Sequence, residues 1–345
     1  MKAIVISAHG GPEVLQYRED IPEPTPGPDD VLVKVAFAAL NRLDNFVRIG
    51  WPGLELPMPF ILGADGAGTI AAVGSRVEGW QVGQRVTYNP TLWCGHCAYC
   101  VAGEHPYCDK FGIIGEHAPG NYAEYVRVPA RNLLAVPEGV DLRVAAAAPT
   151  VYVTAWRMLF TRGRLQPGET VLIVGAGGGV NTAAIQLARY AGAIPWVVAG
   201  DARKAEHALA LGADWVIDRS AEPNWGKAVW AKTDKRGVQM VIDNVGEPTW
   251  VSSLRSLGPG GRLVTVGGTG GYKAVTPLNL VFARQLSIIG STMGTQTEFE
   301  KVMQLIFAGR VQVAIDGVFA LRDYPEALAR MMSDDHFGKL VVEIN

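Results

Sequence analysis

The feature that most constrains the fold of this chain is a run of glycines between an apolar strand and a helix. The run Gly175–Asn181 (GAGGGVN) follows a strand predicted over Val171–Val174 and precedes a helical pattern that continues to Ala191. Glycines let the backbone approach a pyrophosphate, and the N-terminus of the following helix offers free N–H groups and the positive end of its dipole. Placed at the start of a strand–helix–strand alternation, the run predicts a dinucleotide-binding site more strongly than an ordinary tight turn. The residues expected to bind the cofactor there are Gly175, Gly178, Gly179 and Val180, while Asn181 stands where a third glycine is common.

Strands and helices alternate through the middle of the chain. The pattern predicts a helix over Arg203–Leu211 and strands over Ile194–Ala199, Trp215–Ile217, Met240–Asp243, Arg262–Val266 and Leu286–Ile289. Such alternation indicates an α/β fold with a doubly wound parallel sheet of the Rossmann type, expected over residues 150–289. Residues 1–140 instead contain short β-like runs separated by Gly and Pro, which are typical of a largely antiparallel β structure. The segment from Gly290 onwards is expected to pack back on that first domain.

All four cysteines lie in one window, with the spacing Cys94-x2-Cys97-x2-Cys100-x7-Cys108. Four thiolates at such short spacings can surround one zinc ion, and a site with four protein ligands leaves no position open for substrate. The window therefore predicts a structural zinc lobe over about residues 92–109, the alternative being a cluster of reduced thiols. His96 and His105 lie in the same loop but are not needed for a full ligand set. Because the first residues read as a strand and not as a secretion signal, the cysteines also favour a reducing, cytoplasmic compartment.

The end of the second predicted strand distinguishes the two nicotinamide cofactors. An acidic residue there binds the ribose 2′-OH of NAD, whereas its absence together with nearby basic residues admits the phosphate of NADP. Counting back from Lys204 places Ala199 or Gly200 in the acidic position, with Asp201 one or two residues beyond it. Arg203 and Lys204 could both reach a phosphate. The sequence thus favours NADP(H), although a shift of one residue would return Asp201 to the decisive position.

The composition excludes several classes of function. Lys+Arg 31 against Asp+Glu 33 gives a net charge of -2, which argues against a nucleic-acid binder because phosphate neutralisation needs an excess of basic residues. Hydrophobic residues at 48% and charged residues at 19% exclude a disordered chain. The longest uncharged stretch, Thr170–Ala188, contains four glycines and changes from a strand pattern to a helix pattern, so no membrane span is expected.

The motifs together resemble the medium-chain dehydrogenase/reductase superfamily. Besides the cysteine spacing and the glycine run, they are GGPEVL (Gly10–Leu15), GADGAGTIAAVG (Gly63–Gly74), GSTMGT (Gly290–Thr295) and HFGKLVVEI (His336–Ile344). The resemblance covers essentially the whole chain. It implies a mainly β, GroES-like catalytic domain formed by residues 1–149 and 290–345, around a central Rossmann domain. It also implies hydride transfer between NAD(P)H and an alcohol, carbonyl or enone, in a homodimer or homotetramer.

The sequence departs from the zinc-dependent alcohol dehydrogenases of this superfamily at the catalytic metal. Their first ligand segment holds a Cys, but here it reads Leu40–Asp44 (LNRLD). Their His-Glu pair is replaced by Ala64-Asp65, and the crossover segment 148–154 also lacks a cysteine. The asparagine-containing segment instead resembles the quinone-oxidoreductase branch, which works without a metal at the active site. Because no Lewis acid would then lower the pKa of a bound alcohol, reduction of a carbonyl or an activated C=C bond is favoured.

The resemblance also implies roles for single residues. Asn41 and Asp44 are expected to face the nicotinamide and substrate pocket, where Asn41 donates a side-chain N–H to a substrate oxygen and Asp44 orients a donor or joins a proton relay. The alternatives are a turn residue for Asn41 and a helix N-terminal cap for Asp44. Thr154 is expected to contact the nicotinamide or ribose, unless it is a buried helix threonine. Val245, Val266 and Gly267 are expected beside the nicotinamide. Lys339 is expected either to contact a cofactor phosphate or to be a surface lysine. His117 could act as an acid or be a loop histidine, and Trp51 could line the substrate pocket or be an ordinary packing residue.

The sequence therefore predicts an NAD(P)H-dependent oxidoreductase with one structural zinc and a small carbonyl, quinone, enone or alcohol as substrate. One alternative is a zinc-dependent alcohol dehydrogenase with atypical ligands such as Asp44, Asp65 and His117. A second, from another class, is a non-catalytic protein that binds NADPH without turnover. A zinc-dependent nucleic-acid binder is a more distant alternative.

Overall fold

The computed structural model describes residues 1–344, and the chain divides into two compact units. Unit 1 comprises Met1–Thr150, Gly294–Ala308 and the chain from Ile315 onwards, and unit 2 comprises Val151–Met293 and Gly309–Ala314. From the sequence, the boundaries of the catalytic and dinucleotide-binding domains are expected at 149/150 and 289/290, and this functional division stays a prediction. The segment Gly309–Ala314 differs from the prediction, because residues 290–345 were all expected in the catalytic domain.

Hydrogen bonds explain why Gly309–Ala314 belongs to unit 2. The backbone N–H of Gln312 donates to Gln186 Oε1 at 2.9 Å, and the backbone carbonyl of Gln312 accepts from Gln186 Nε2 at 2.7 Å. The same carbonyl accepts from the hydroxyl of Tyr152 at 2.5 Å. This local bonding to two helices of unit 2 carries no signal in the sequence pattern.

The regular elements are numbered in chain order. The strands are β1 (Ala3–Ile6), β2 (Leu15–Arg18), β3 (Asp30–Ala39), β4 (Phe60–Ile61), β5 (Asp65–Val73), β6 (Arg85–Tyr88), β7 (Thr91–Leu92), β8 (Gly112–Ile113), β9 (Tyr125–Pro129), β10 (Leu133–Ala135), β11 (Thr170–Val174), β12 (Ile194–Ala199), β13 (Trp215–Asp218), β14 (Val238–Asp243), β15 (Leu257–Thr265), β16 (Ser287–Gly290), β17 (Ile315–Ala320) and β18 (Lys339–Glu343). The helices are α1 (Arg42–Ile49), α2 (Ala98–Val101), α3 (Leu142–Ala147), α4 (Pro149–Trp156), α5 (Gly179–Tyr190), α6 (Ala202–Ala210), α7 (Trp225–Lys232), α8 (Trp250–Ser256), α9 (Leu278–Arg284), α10 (Gln296–Phe307) and α11 (Tyr324–Met332). Among residues 1–344, no helix has both the length and the apolar composition that crossing a bilayer requires.

Unit 1 is built on β-sheets, as the short β-like runs predicted. Its main sheet has the order β10-β6-β5-β3-β18-β17, with β9 also paired to β3. All of these pairs are antiparallel except β17 with β18. β3 and β5 share the longest register, in which Ala39 lies opposite Asp65, and β18 pairs on the other side of β3. This register brings the first residues of β5 and β18 towards the end of β3, where the chain turns into α1.

Unit 2 contains the predicted parallel sheet. Its six strands are all parallel and have the order β13-β12-β11-β14-β15-β16. The inner strands carry near-continuous apolar runs, such as VLIV in Val171–Val174, because helices cover both faces of a doubly wound sheet. Chain order reverses direction between β11 and β14, and ligands of such sheets bind at the carboxyl ends of the strands at this switch point.

Candidate cofactor site and buried charge centre

The glycine run of unit 2 forms the turn between β11 and α5. Gly175 has φ +98, a backbone conformation that residues with a side chain rarely adopt, and its N–H donates to the carbonyl of Val198 at 2.8 Å. A Cβ on Gly175 would lie 2.6 Å from Asn181 Nδ2. Gly178 caps α5, Gly179 begins it, and a Cβ on Gly178 would meet nothing within 4 Å. The turn therefore leaves open space at the N-terminus of a twelve-residue helix, where a diphosphate can accept the free N–H groups.

Asn181, the departure from the glycine pattern, has a structural explanation. Its side chain is buried, and its Nδ2 donates to the carbonyl of Val174 at 3.0 Å. Its Oδ1 accepts from Asn244 Nδ2 at 2.9 Å. The side chain thus ties the start of α5 to the ends of β11 and β14, so hydrogen bonds replace the close helix–strand packing that a third glycine would permit.

The residues predicted beside the nicotinamide follow the two next strands at the same edge. Val245 comes after β14, and Val266 and Gly267 come after β15. The buried carboxylate of Asp243 shapes the first of these loops, since its Oδ1 accepts the backbone N–H groups of Val245 at 2.9 Å and Gly246 at 3.0 Å. Their position at the carboxyl edge agrees with the predicted role, which stays a prediction.

The end of β12, where the ribose of the cofactor is predicted to bind, lies beside a basic residue that the sequence pattern did not reveal. β12 ends at Ala199, and Asp201 is the N-cap of α6, where its Oδ1 accepts the N–H of Lys204 at 2.8 Å. A Cβ on Gly200 would lie 3.9 Å from Arg219 Nη2 and 4.0 Å from Lys204 Cδ. Arg219 directly follows β13, which is the neighbour of β12.

The four cysteines of unit 1 come together as predicted. Their Sγ atoms all lie within 4.8 Å of one another. Backbone N–H groups surround the sulfurs, because the N–H of Cys97 donates to Cys94 Sγ at 3.3 Å and that of Cys94 donates to Cys108 Sγ at 3.2 Å. Bonds from the N–H groups of His96 and Cys97 lower the pKa of Cys94 to about 6. Four sulfurs this close together, of which Cys94 and Cys108 accept backbone N–H groups, fit a zinc ion.

Neither histidine of this window belongs to the cysteine cluster. His105 stacks on Trp93 with ring centroids 4.2 Å apart, and its Nδ1 accepts the backbone N–H of Gln296 at 3.1 Å. His96 Nδ1 lies 3.1 Å from the carbonyl of Cys94. Among residues 1–344, the four cysteines are the one group of three or more Cys, His, Asp or Glu side chains placed to hold a metal ion. Asp44, Asp65 and His117, the alternative catalytic ligands, are not brought together in this way.

A buried salt bridge lies where three segments of unit 1 meet, namely Leu40–Asp44, Ala64-Asp65 and Thr150 of the crossover segment. These segments stand where the zinc-dependent enzymes of the family have their catalytic-zinc ligands. Lys339 Nζ donates to the carbonyl of Leu40 at 2.6 Å, to Asn41 Oδ1 at 2.7 Å and to Asp65 Oδ2 at 3.1 Å. Asp65 Oδ2 also accepts from Asn41 Nδ2 at 2.9 Å, and its Oδ1 accepts from the backbone N–H and hydroxyl of Thr150 at 2.8 and 2.6 Å. Asp65 is fully buried and Lys339 is 3% exposed. The alternative of a surface lysine at 339 is therefore wrong.

Asp44 forms a second part of this buried centre. It is the third residue of α1, and its Oδ2 accepts the N–H of Asn41 at 2.7 Å, so both residues shape the start of the helix. The same oxygen accepts from the hydroxyl of Tyr122 at 2.6 Å. Burial raises the pKa of Asp44 from 3.8 to about 7, against the opposing effect of the Tyr122 hydrogen bond. Asp44 thus caps the N-terminus of α1, as the alternative interpretation expects, while its role in a proton relay stays a prediction.

The raised pKa of Asp44 predicts a pH-dependent stability. Folded Asp44 keeps its proton up to about pH 7, whereas the unfolded side chain loses it near 3.8. Between these values the folded state binds more protons, so this contribution is fully present at low pH and is lost as the pH rises. At about 1.4 kcal/mol per pH unit, the loss amounts to roughly 4 kcal/mol. We expect Asp44→Asn to remove this slope, and urea unfolding across that pH interval measures it. Parallel pH dependence in the two proteins would show that Asp44 does not titrate there.

The other predicted residues occupy less informative positions. Thr154 is buried in α4, in agreement with a helix threonine, and its contact with the cofactor stays a prediction. His117 is exposed on a loop and its Nδ1 accepts the N–H of Ile113 at 3.2 Å, which matches the loop alternative. Trp51 and Arg203 are exposed.

Comparison with known proteins agrees with this arrangement. Models for an alcohol dehydrogenase GroES-like domain and a zinc-binding dehydrogenase match residues 27–138 and 179–308. An acryloyl-coenzyme A reductase of Sulfurisphaera tokodaii is 32% identical over 99% of this chain and 100% of its own length. A crotonyl-CoA carboxylase/reductase of Cereibacter sphaeroides is 30% identical over 97% of this chain and 84% of its own. The crystal structure of an NAD-dependent alcohol dehydrogenase has a TM-score of 0.96 and 39% identity, and the match covers 100% of both chains.

These matches confirm the predicted family, the two-domain fold with GroES-like and Rossmann parts, and an NAD(P)-dependent oxidoreductase. The family together with the cysteine cluster suggests a structural zinc. The chain belongs to the zinc-type alcohol dehydrogenase family of the medium-chain dehydrogenase/reductase superfamily.

Proposed function

We propose that this protein reduces an activated C=C bond or a carbonyl with NADPH, at an active site without a metal, and carries one structural zinc at Cys94, Cys97, Cys100 and Cys108. The cofactor, when bound, supplies the hydride. The relatives named as acryloyl- and crotonyl-CoA reductases support an enoyl thioester as the substrate class. Simple enones, quinones and aldehydes share the same need for a hydrogen-bond donor at an oxygen that gains negative charge.

The preference for NADPH rests on the ribose end of the cofactor site. Positions 199 and 200 hold Ala and Gly in place of an acidic residue, and Asp201 caps the N-terminus of α6. Gly200 leaves space beside Arg219 and Lys204. Two cationic side chains near Gly200, Arg219 just after β13 and Lys204 in the first turn of α6, suit a 2′-phosphate, whereas a ribose 2′-OH would find no carboxylate in that position.

The buried ammonium of Lys339 is the observation that carries the metal-free part of the proposal. It lies within 3.1 Å of Asn41 and Asp65, which stand where the zinc enzymes of the family have a ligand and an acidic residue. A divalent cation in contact with the same oxygens would be repelled by that charge. Asn41 is then the residue that would donate an N–H to the substrate oxygen.

We further propose a homodimer or homotetramer assembled through unit 2. Its sheet ends at β16, and large apolar side chains near this edge are exposed, with Val275 at 76%, Leu278 at 72% and Phe282 at 74%. An unpaired edge strand beside exposed apolar residues favours pairing with a second copy of the chain. Sedimentation of the purified protein tests this assembly, and a monomer at micromolar concentration would contradict it.

The thiol cluster, which zinc binds only when reduced, favours a cytoplasmic location.

The test of the proposed activity is NADPH consumption by the purified protein. A panel of enoyl thioesters, enones, quinones and aldehydes should include substrates that oxidise NADPH. Asn41→Ala should lower kcat by about 100-fold, the usual effect of losing one donor to a developing oxyanion. The exposed Asn224→Ala is the matched control and should leave kcat unchanged. Binding of NADPH without turnover of any substrate would favour the non-catalytic alternative.

A further inference from the structure

The side chain of Lys339 uses all of its hydrogen-bonding capacity inside unit 1. An ammonium has three N–H donors and no acceptor, and the three acceptors present are the Leu40 carbonyl, Asn41 Oδ1 and Asp65 Oδ2. Lysine is almost never fully buried unless it is paired. The predicted contact with a cofactor phosphate would therefore require the ammonium to give up one of these bonds.

The two charged partners fix the orientation of the Asn41 amide. Lys339 can only donate, so the atom facing it is the amide oxygen, and a carboxylate such as Asp65 can only accept, so the atom facing it is the amide nitrogen. The second N–H of the amide has as its nearest acceptor the carbonyl of Ala39, at 3.5 Å. This distance exceeds the usual range for N–H···O bonds, so that N–H is left with a weak partner.

We propose that Lys339 is a positioning residue, which orients and polarises the Asn41 amide so that its second N–H stabilises the oxyanion formed during reduction. This inference rests on the proposed function of Asn41. A positive charge at the amide oxygen withdraws electron density from the N–H groups and strengthens them as donors. The effect is greatest when negative charge develops on the substrate, as required of a group that acts on the transition state.

Asp65 completes the arrangement by balancing the buried charge. Its second oxygen is held by the N–H and hydroxyl of Thr150, so the carboxylate cannot turn away from Asn41. Removing Lys339 alone would leave a buried, unpaired carboxylate and would destabilise the fold. Asp65→Asn alone would leave the ammonium buried and unpaired, so the test compares the unaltered protein with the double variant Asp65→Asn/Lys339→Met, in which neither charge is left unpaired. The exposed Lys301→Met is the surface control.

The two proteins are compared by kcat with one reducible substrate, by the Kd for NADPH and by the unfolding temperature. We expect the double variant to have a kcat about 10- to 100-fold lower than the unaltered protein, with the Kd for NADPH within about twofold, because the ammonium acts on the transition state. Equal kcat values would overturn the inference and leave the salt bridge with a structural role. A Kd raised about tenfold with unchanged kcat would assign Lys339 to a cofactor phosphate instead.

A failure of the proposed function is recognised separately, because it would appear in the unaltered protein as NADPH binding without turnover. That result would overturn the inference as well. A double variant that unfolds at the same temperature as the unaltered protein and yet has the lower kcat supports the positioning role, since a purely structural role would change stability first.

Discussion

Replacing Cys100 by serine should release zinc and unfold the lobe over residues 92–109. The lobe has little other means of support. Its regular elements are the end of the two-residue strand β7, the four-residue helix α2 and a three-residue 3-10 helix at His105–Tyr107, and its apolar core contains Trp93, Cys100 and Cys108. Structural zinc contributes about 10–16 kcal/mol to the folding of small zinc modules, far more than so few buried side chains. Limited proteolysis should therefore cut the variant within the lobe, while the unaltered protein resists and contains one zinc per chain.

His96→Ala provides the matched control within the same lobe. His96 lies between two of the cysteines but outside the ligand cluster, so this variant should keep its zinc and resist proteolysis. The assignment of the four thiolates would be contradicted if Cys100→Ser kept one zinc per chain, or if His96→Ala lost it.

Replacing Arg219 and Lys204 together by alanine should raise the Kd for NADPH about 100-fold and change the Kd for NADH by less than about threefold. Each cation is expected to make a charge-assisted hydrogen bond to the 2′-phosphate, and a contribution of about 1.4 kcal/mol per bond corresponds to a tenfold change in Kd. Titration of each cofactor against the intrinsic fluorescence of the protein measures both constants. Arg236→Ala, which changes an arginine with 81% of its side chain exposed in unit 2, is the control.

A second variant tests the same site from the other direction. Gly200→Asp would place a carboxylate near the guanidinium of Arg219, where it would repel a phosphate and accept a bond from a ribose 2′-OH. NADH should then bind at least as tightly as NADPH. Equal losses for both cofactors in the alanine variant would contradict a 2′-phosphate site and return Asp201 to consideration.

Local patterns made part of this molecule predictable from its sequence. The cysteine spacing and the glycine run act over a few residues each, so the cluster and the turn before α5 could be identified without the fold. The strand Ile194–Ala199 has the bounds that the apolar pattern predicts. Gly200 and Asp201 follow it directly and end the apolar run sharply.

The buried charge centre could not be predicted in the same way. Asp65 and Lys339 are 274 residues apart, and only the register of β5 and β18 against β3 makes them neighbours. Arg219 was missed for a similar reason, since it follows the third strand of unit 2 and approaches Gly200 because β13 pairs with β12. The sequence alone shows that positions 199 and 200 lack an acidic residue. Which basic residue lies beside them depends on the strand order.

The most direct measurement of the central claim combines metal content and turnover on one preparation. We expect protein with one zinc per chain to oxidise NADPH in the presence of an activated alkene or carbonyl, and added divalent metal not to raise kcat. An activity that requires a second metal ion per chain, or no turnover with either nicotinamide cofactor, would contradict it.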